Sequence, residues 1–190
     1  MQTKVLNKNE IEEICTRLAR EITEKIKNDE KIPVFVGVLK GSLNFMMDLL
    51  KHIEIPIFTD YIQISSYCGT TSTGRIKMVK DLSFDCSGRS IIIIEDIVDT
   101  GNSMKFLLEH FSHHKPKSIY VCALFNKGNA RTVDVKVDFI GKELEGTPFL
   151  VGYGLDYYEL LRNIPEVYAV EKDDVDKLDE YLKNEEKQHF

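Results

Sequence analysis

The chain has 190 residues, with 25 Lys and Arg against 31 Asp and Glu and a formal net charge of −6. That length suits one domain with a substantial core, and 43% hydrophobic and 29% charged residues are ordinary for a globular protein. An acidic balance without a basic block argues against nucleic acid or an anionic membrane as the main partner. Local phosphate binding by backbone N–H groups stays open.

Residues 9–28 place Ile11, Ile14, Cys15, Leu18, Ala19, Ile22 and Ile26 on one helical face, with Asn9 able to cap the start. Residues 33–39, PVFVGVL, predict a buried strand that Pro33 can open. Lys40, Gly41 and Ser42 follow, then an apolar helix over 43–50. Residues 55–64 read as a strand of mixed polarity. The Gly/Ser/Thr-rich stretch 65–75, SSYCGTTSTGR, predicts a long loop or hairpin tip, with 76–82 as the returning strand and 85–88 as a turn.

Residues 91–103, IIIIEDIVDTGNS, carry the strongest signal. Four isoleucines without polar alternation predict a strand covered on both faces. The apolar run stops at Glu95 and Asp96, and Asp99, Thr100, Gly101, Asn102 and Ser103 precede helical spacing over 104–111. This order sets backbone N–H groups at a sheet's carboxyl edge, beside a helix N-terminus, where phosphate binds. The neighbouring carboxylates suit sugar hydroxyls or a metal. The same order also occurs as plain α/β architecture, with acids that only cap helices.

Residues 118–125 predict another buried strand, ending at Asn126 and Lys127. A lysine there stands where α/β ligands bind, although a solvent-exposed loop lysine has the same signature. Residues 135–141 read as a short strand, 143–147 as a turn and 167–170 as a last strand. Residues 172–188 predict a charged surface helix on Val175, Leu178 and Leu182. His113-His114 reads as a solvated helix end rather than a metal site. Cys15, Cys68, Cys86 and Cys122 are scattered without CxxC, so idle reduced thiols are expected. No apolar run reaches signal or membrane-span length, which gives a cytoplasmic expectation. No linker or repeat interrupts the chain, so a single domain over 1–190 is expected.

The apolar run, two acids, two apolar residues and D-T-G-N-S resemble the signature of the type I phosphoribosyltransferases. The V-G-Y-x-L-D-Y pattern at 151–157 resembles the 6-oxopurine branch, the hypoxanthine(-guanine) phosphoribosyltransferases, as does the K-x-x-x-R spacing of Lys127 and Arg131. The likeness spans about residues 34–170. It implies an α/β fold with a parallel doubly wound sheet and a small hood built from the N-terminal and about 142–172 segments. It also implies a flexible lid at about 65–76, closing through Ser66 and Tyr67.

The implied reaction joins a purine to 5-phosphoribosyl-1-pyrophosphate (PRPP), giving a nucleoside monophosphate and pyrophosphate. By resemblance, Asp99 is the candidate general base, and Glu95 and Asp96 orient the ribose hydroxyls. Asp99, Thr100, Gly101, Asn102 and Ser103 cradle the 5′-phosphate, while Lys40, Gly41 and Arg162 meet pyrophosphate. Ile97, Lys127, Phe149, Leu150 and Asp156 form the purine site, with Lys127 donating to the 6-oxo group and Phe149 stacked on the base. Glu95, Asp96 and Asp156 are the implied Mg²⁺ ligands, and Tyr153 and Tyr157 are read as core. The partners implied are small-molecule substrates, neither nucleic acid nor membrane, with a homodimer or homotetramer as the assembly. Asn102-Ser103 stands where some members carry Lys-Thr, and Ser42 where some have a second Gly. A transferase for xanthine or another base is the nearest rival. A signalling receiver has no place for the D-T-G-N-S loop or the 151–157 pattern. An RNA-binding regulator of this fold lacks support in the acidic charge.

Overall fold

The computed structural model describes residues 3–66, 76–146 and 148–188. In chain order the elements are β1 (Thr3–Leu6), α1 (Lys8–Ile26), β2 (Val34–Leu39), α2 (Leu43–Leu50), β3 (Phe58–Ser66), β4 (Ile76–Lys80), β5 (Ser90–Val98), α3 (Asn102–Ser112), β6 (Ser118–Asn126), β7 (Phe139–Glu143), β8 (Phe149–Val151), β9 (Val167–Val170) and α4 (Lys172–Gln188). A six-stranded sheet has the order β4-β3-β2-β5-β6-β7, and a three-stranded sheet the order β1-β9-β8. All neighbours in the large sheet are parallel except β3 and β4, which form an antiparallel pair at one edge.

Side-chain alternation divides the isoleucine run between two cores. Ile92 and Ile94 join Cys15, Leu18 and Ile22 of α1 and Phe45, Met46 and Leu49 of α2. Ile91 and Ile93 join Met104, Leu107 and Phe111 of α3. Both faces of β5 are therefore covered, as the unbroken apolar run requires. The small sheet meets the α1–α2 layer through Leu6, Leu150 and Val167. From β2 the chain crosses through α2 to β3, and from β5 it crosses through α3 to β6 on the opposite face. The strand order thus reverses between β2 and β5, so the loops leaving those strands diverge and open a crevice.

Several expected boundaries move. The cap of α1 is Asn7, whose Oδ1 accepts the N–H groups of Asn9 at 2.9 Å and Glu10 at 3.0 Å. Glu10 accepts the Asn7 N–H at 2.8 Å, completing a capping box two residues ahead of the expected cap. The central strand runs through Glu95 and Asp96 to Val98, because its ladder with β6 continues from Glu95↔Ala123 to Val98↔Asn126. The strand expected over 135–141 begins only at Phe139, after the Asp138 carboxylate accepts the Val121 N–H at 2.9 Å. The four-residue strand β1 carries no periodic signal, and pairing with β9 creates it. The expected lid, with Tyr67 and Cys68, lies outside the described residues apart from its ends at Ser65, Ser66 and Ile76.

Cys15, Cys86 and Cys122 are buried and free. Burial pushes the Cys15 thiol up to about 12 and the Cys86 thiol up to about 11, far from the range of a reactive thiolate. Tyr153 and Tyr157 are buried, in agreement with the core reading. Tyr153 donates to Asp48 Oδ2 at 2.6 Å, tying the segment after β8 to α2.

Candidate active site

The loops after β2, β5 and β6 meet at the carboxyl edge where the strand order reverses. Gly101 (φ 88°) is the N-cap of α3, so Asn102 and Ser103 occupy the helix's first turn rather than a free loop. Their N–H groups lie among those that an α-helix leaves unpaired, and the helix dipole adds positive potential there. Glu95, Asp99, Thr100, Gly101 and Ser103 line a small hollow of about 90 Å³.

Strand alternation sends the two adjacent acids to different loops. Glu95 lines the hollow with Asp99, Thr100, Gly101 and Ser103, whereas Asp96 lies against Gly41. A Cβ on Gly41 would stand 1.7 Å from Asp96 Oδ2. On its other side, a Cβ on Gly154 (φ +102°) would stand 2.2 Å from the Gly41 carbonyl oxygen. The two glycines therefore allow three backbone segments to converge around Asp96. Burial, followed by the charge on Asp96, holds the Glu95 carboxyl well above the usual carboxylate range. No cation pairs with Glu95 or Asp96 among the described residues.

Lys127 is only 8% exposed, which rules out the solvated loop lysine. Its Nζ is 3.2 Å from Asp99 Oδ2, so the groups assigned to base selection and proton transfer are in contact. The Lys127 N–H donates to the Val98 carbonyl at 3.0 Å, which joins the start of this loop to the end of β5. Arg131 clamps the assembly by donating to the Asp99 carbonyl at 3.1 Å and to Asn126 Oδ1. Asn126 donates in turn to both Glu143 oxygens, at 3.0 and 2.9 Å. Asn126 and Glu143 escaped the sequence reading. The only signal was the strand pairing of β6 with β7, which sets them opposite each other.

The remaining cations gather around the segment after β8. Lys40 Nζ is 2.9 Å from Glu159 Oε2. Arg162 Nη2 is 2.8 Å from Asp156 Oδ1 and 3.3 Å from Glu159 Oε1, and Arg162 Nη1 donates to the Gly154 carbonyl at 2.7 Å. Glu159 therefore joins the loop after β2 to Arg162, a role that no local pattern in 149–162 announces. Asp156 also accepts the Glu159 N–H at 2.8 Å, so this turn holds the carboxylate firmly. Phe149 is half exposed and packs edge-on against Tyr157, with ring centroids 5.7 Å apart, while Leu150 is buried. Ile97 sits among the residues of the hollow.

The family profile for the phosphoribosyl transferase domain matches residues 1–158. The chain is 42% identical over 164 residues to a hypoxanthine-guanine phosphoribosyltransferase of Bacillus subtilis, covering 86% of this chain and 89% of that one. It is 41% identical over 168 residues to the Aquifex aeolicus protein of the same name, covering 88% and 93%. The crystal structure of a hypoxanthine phosphoribosyltransferase from Staphylococcus aureus superimposes with a TM-score of 0.85 at 36% identity, over 91% of this chain and 93% of that one. On these matches and on the fold they share, this chain belongs to the phosphoribosyl transferase family.

Proposed function

We propose that this chain salvages purines by transferring the 5-phosphoribosyl group of PRPP to hypoxanthine or guanine, giving IMP or GMP and pyrophosphate. The observation that carries the reading is the buried Lys127, held 3.2 Å from Asp99 beside the phosphate loop. A buried ammonium donates to a 6-oxo group and finds no acceptor in a 6-amino group, so it favours hypoxanthine and guanine over adenine. Phe149, half exposed, offers a face on which the base can stack.

In this reading the 5′-phosphate enters the N–H groups of residues 99–103. Glu95 and Asp96 hold the ribose hydroxyls. Pyrophosphate takes Lys40 and Arg162, displacing their contacts with Glu159. Asp99 accepts a proton at the imidazole side of the purine as the new bond forms. The acids fit Mg²⁺, since carboxylate oxygens are the donors it prefers and Glu95 and Asp96 have no cationic partner among the described residues. Asp156 is a third candidate ligand. When bound, Mg²⁺ supplies charge stabilisation to the departing pyrophosphate. We assign the β1-β9-β8 sheet as the hood over the base, and propose a cytoplasmic homodimer or homotetramer. The free buried thiols suit that reducing compartment.

The test is an absorbance assay with PRPP, Mg²⁺ and hypoxanthine, guanine, xanthine or adenine offered separately. Nucleotide from hypoxanthine or guanine but not from adenine is the expected result. Turnover of xanthine or adenine alone would overturn the substrate assignment, and no PRPP binding by calorimetry would overturn the site.

A further inference from the structure

Away from the active site, three metal-ligating side chains converge where α3 ends. His110 and His114 are four residues apart, a spacing that puts two side chains on one helical face. The turn that follows α3 preserves this, because the His114 N–H donates to the Phe111 carbonyl at 3.0 Å. Asp81 comes from a different part of the chain, one residue beyond β4, and its Oδ1 is 2.9 Å from His110 Nε2. One donor atom from each of the three lies within 4.8 Å of the others. The His110 ring is held between Phe106, stacked at 6.3 Å and 13°, and His114, edge-on at 5.3 Å. The adjacent pair His113-His114 is not the relevant one. His113 caps the helix, and the partner of His114 lies one turn back.

We propose that Asp81, His110 and His114 form a binding site for one first-row transition ion, with Zn²⁺ the best fit. Two imidazoles and one carboxylate are a ligand set that zinc accepts, with water completing the shell. Zinc binds such donors at about 2.0–2.2 Å, which sets the ligands of a tetrahedral site about 3.4 Å apart. Small side-chain rotations at this partly exposed cluster close the 4.8 Å spread. Imidazole ligands favour Zn²⁺, Co²⁺, Ni²⁺ and Cu²⁺ over Mg²⁺. The site is thus chemically distinct from the carboxylate cluster at Glu95, Asp96 and Asp156. The ion would fasten the connection that follows the β3–β4 pair to the C-terminal turn of α3, the helix whose first turn holds phosphate in the proposed function.

The test uses the full chain, free of any histidine tag and stripped with a chelator. It is titrated with Co²⁺ alone, then Zn²⁺ alone, by calorimetry and visible absorption. One ion per chain with imidazole-type Co²⁺ bands is expected. Losing an outer-shell partner costs metal sites about 10–100-fold in affinity, so losing a ligand in His110→Asn or His114→Asn should cost at least about tenfold. His113→Ala should bind as wild type does, and excess Mg²⁺ should not displace Co²⁺. Thermal melting of the metal-free variants separates lost ligation from lost folding. If His114→Asn melts as wild type and binds equally well, the site is wrong. Displacement by Mg²⁺, or no binding at all, would equally overturn it. Broadening of the His110 and His114 ring signals by Co²⁺ in NMR spectra is a second readout, and signals that stay sharp while Co²⁺ binds count against the proposal.

Discussion

Replacing Gly41 by Ala tests the convergence around Asp96 directly. The added Cβ would meet Asp96 Oδ2 at 1.7 Å and Asp96 Cγ at 2.6 Å. Nonbonded carbon and oxygen come no closer than about 3.3 Å, so the two groups must part by about 1.6 Å. Gly41 is not among the residues with positive φ, which means the backbone itself tolerates alanine and the clash is the whole perturbation. The cheapest relief is rotation of the Asp96 carboxylate, so the stability cost should fall near the lower end of the about 1–3 kcal/mol typical of overpacking. The kinetic cost should be larger. A misplacement of about 1 Å at a reacting centre costs about 10²-fold, which corresponds to about 2.7 kcal/mol of transition-state stabilisation. Steady-state kinetics with varied PRPP at saturating hypoxanthine should therefore show kcat/KM falling by about 10²-fold, with the melting temperature little changed. The cause is checked in an Asp96→Ala background, where the obstructing oxygens are gone and Gly41→Ala should add almost nothing. Wild-type kcat/KM in Gly41→Ala, or the full loss persisting without the Asp96 carboxylate, would refute the reasoning.

Three further outcomes follow from the geometry. Lys127→Ala should erase much of the discrimination between guanine and adenine, which a buried unpaired ammonium could set at up to about 10⁴–10⁵; unchanged selectivity in competition kinetics would remove Lys127 from base choice. Asp99→Asn should lower kcat by about 10²–10⁴-fold and flatten its pH dependence, so wild-type turnover and an unaltered pH profile would withdraw the proton-transfer role. Asp60 accepts from the Ser83 N–H at 2.6 Å, the Tyr61 N–H at 2.7 Å and Lys80 at 3.0 Å. Burial raises its carboxyl, but these donors outweigh burial and hold it below the ordinary range. A depressed folded-state value stabilises the protein above the unfolded value of about 3.9, and that stability is lost as pH falls through the depressed value. Asp60→Asn should therefore cost about 1.5–3 kcal/mol at neutral pH, and urea midpoints should converge with wild type in acid. A deficit independent of pH would contradict the linkage.

What could be read from the sequence divides by range. The isoleucine run declared both its strand and its burial because continuous apolarity and β-branching are local properties. The helix over residues 43–50 and the strand over 167–170 were legible for the same reason and coincide with α2 and β9. The four-residue β1 was not, since only the register Thr3↔Ala169 with a distant strand makes it one. The site shows the same division. Glu95, Asp96 and Asp99 stand in one contiguous pattern. By contrast, Glu159 acquires its meaning from Lys40, 119 residues away in the chain. Asn126 and Glu143 meet through a parallel ladder whose register no local pattern states. The convergence of His110, His114 and Asp81 was not legible either, because helical geometry joins residues four apart and the fold brings Asp81 from 29 residues away.

The charges of the site match the proposed chemistry in a way that no single pair reveals. Three cations of the site already have anions: Lys40 has Glu159, Arg162 has Asp156 and Glu159, and Lys127 has Asp99. The pair at Glu95 and Asp96 has no such balance among the described residues, and Glu95 is held high by burial and by its neighbour. A ligand bringing only negative charge would compete with carboxylates at the cations and leave the acid pair uncompensated. A pyrophosphate ester that arrives with a divalent cation does both jobs at once. Its oxygens replace Glu159 at Lys40 and Arg162, and its metal meets the acids. Binding of PRPP and of Mg²⁺ should therefore be mutually reinforcing, as linkage requires when each supplies the charge that the other lacks. Calorimetric titration of PRPP with and without Mg²⁺ measures that coupling, and equal affinities in the two titrations would show that the charge arrangement does not act as argued.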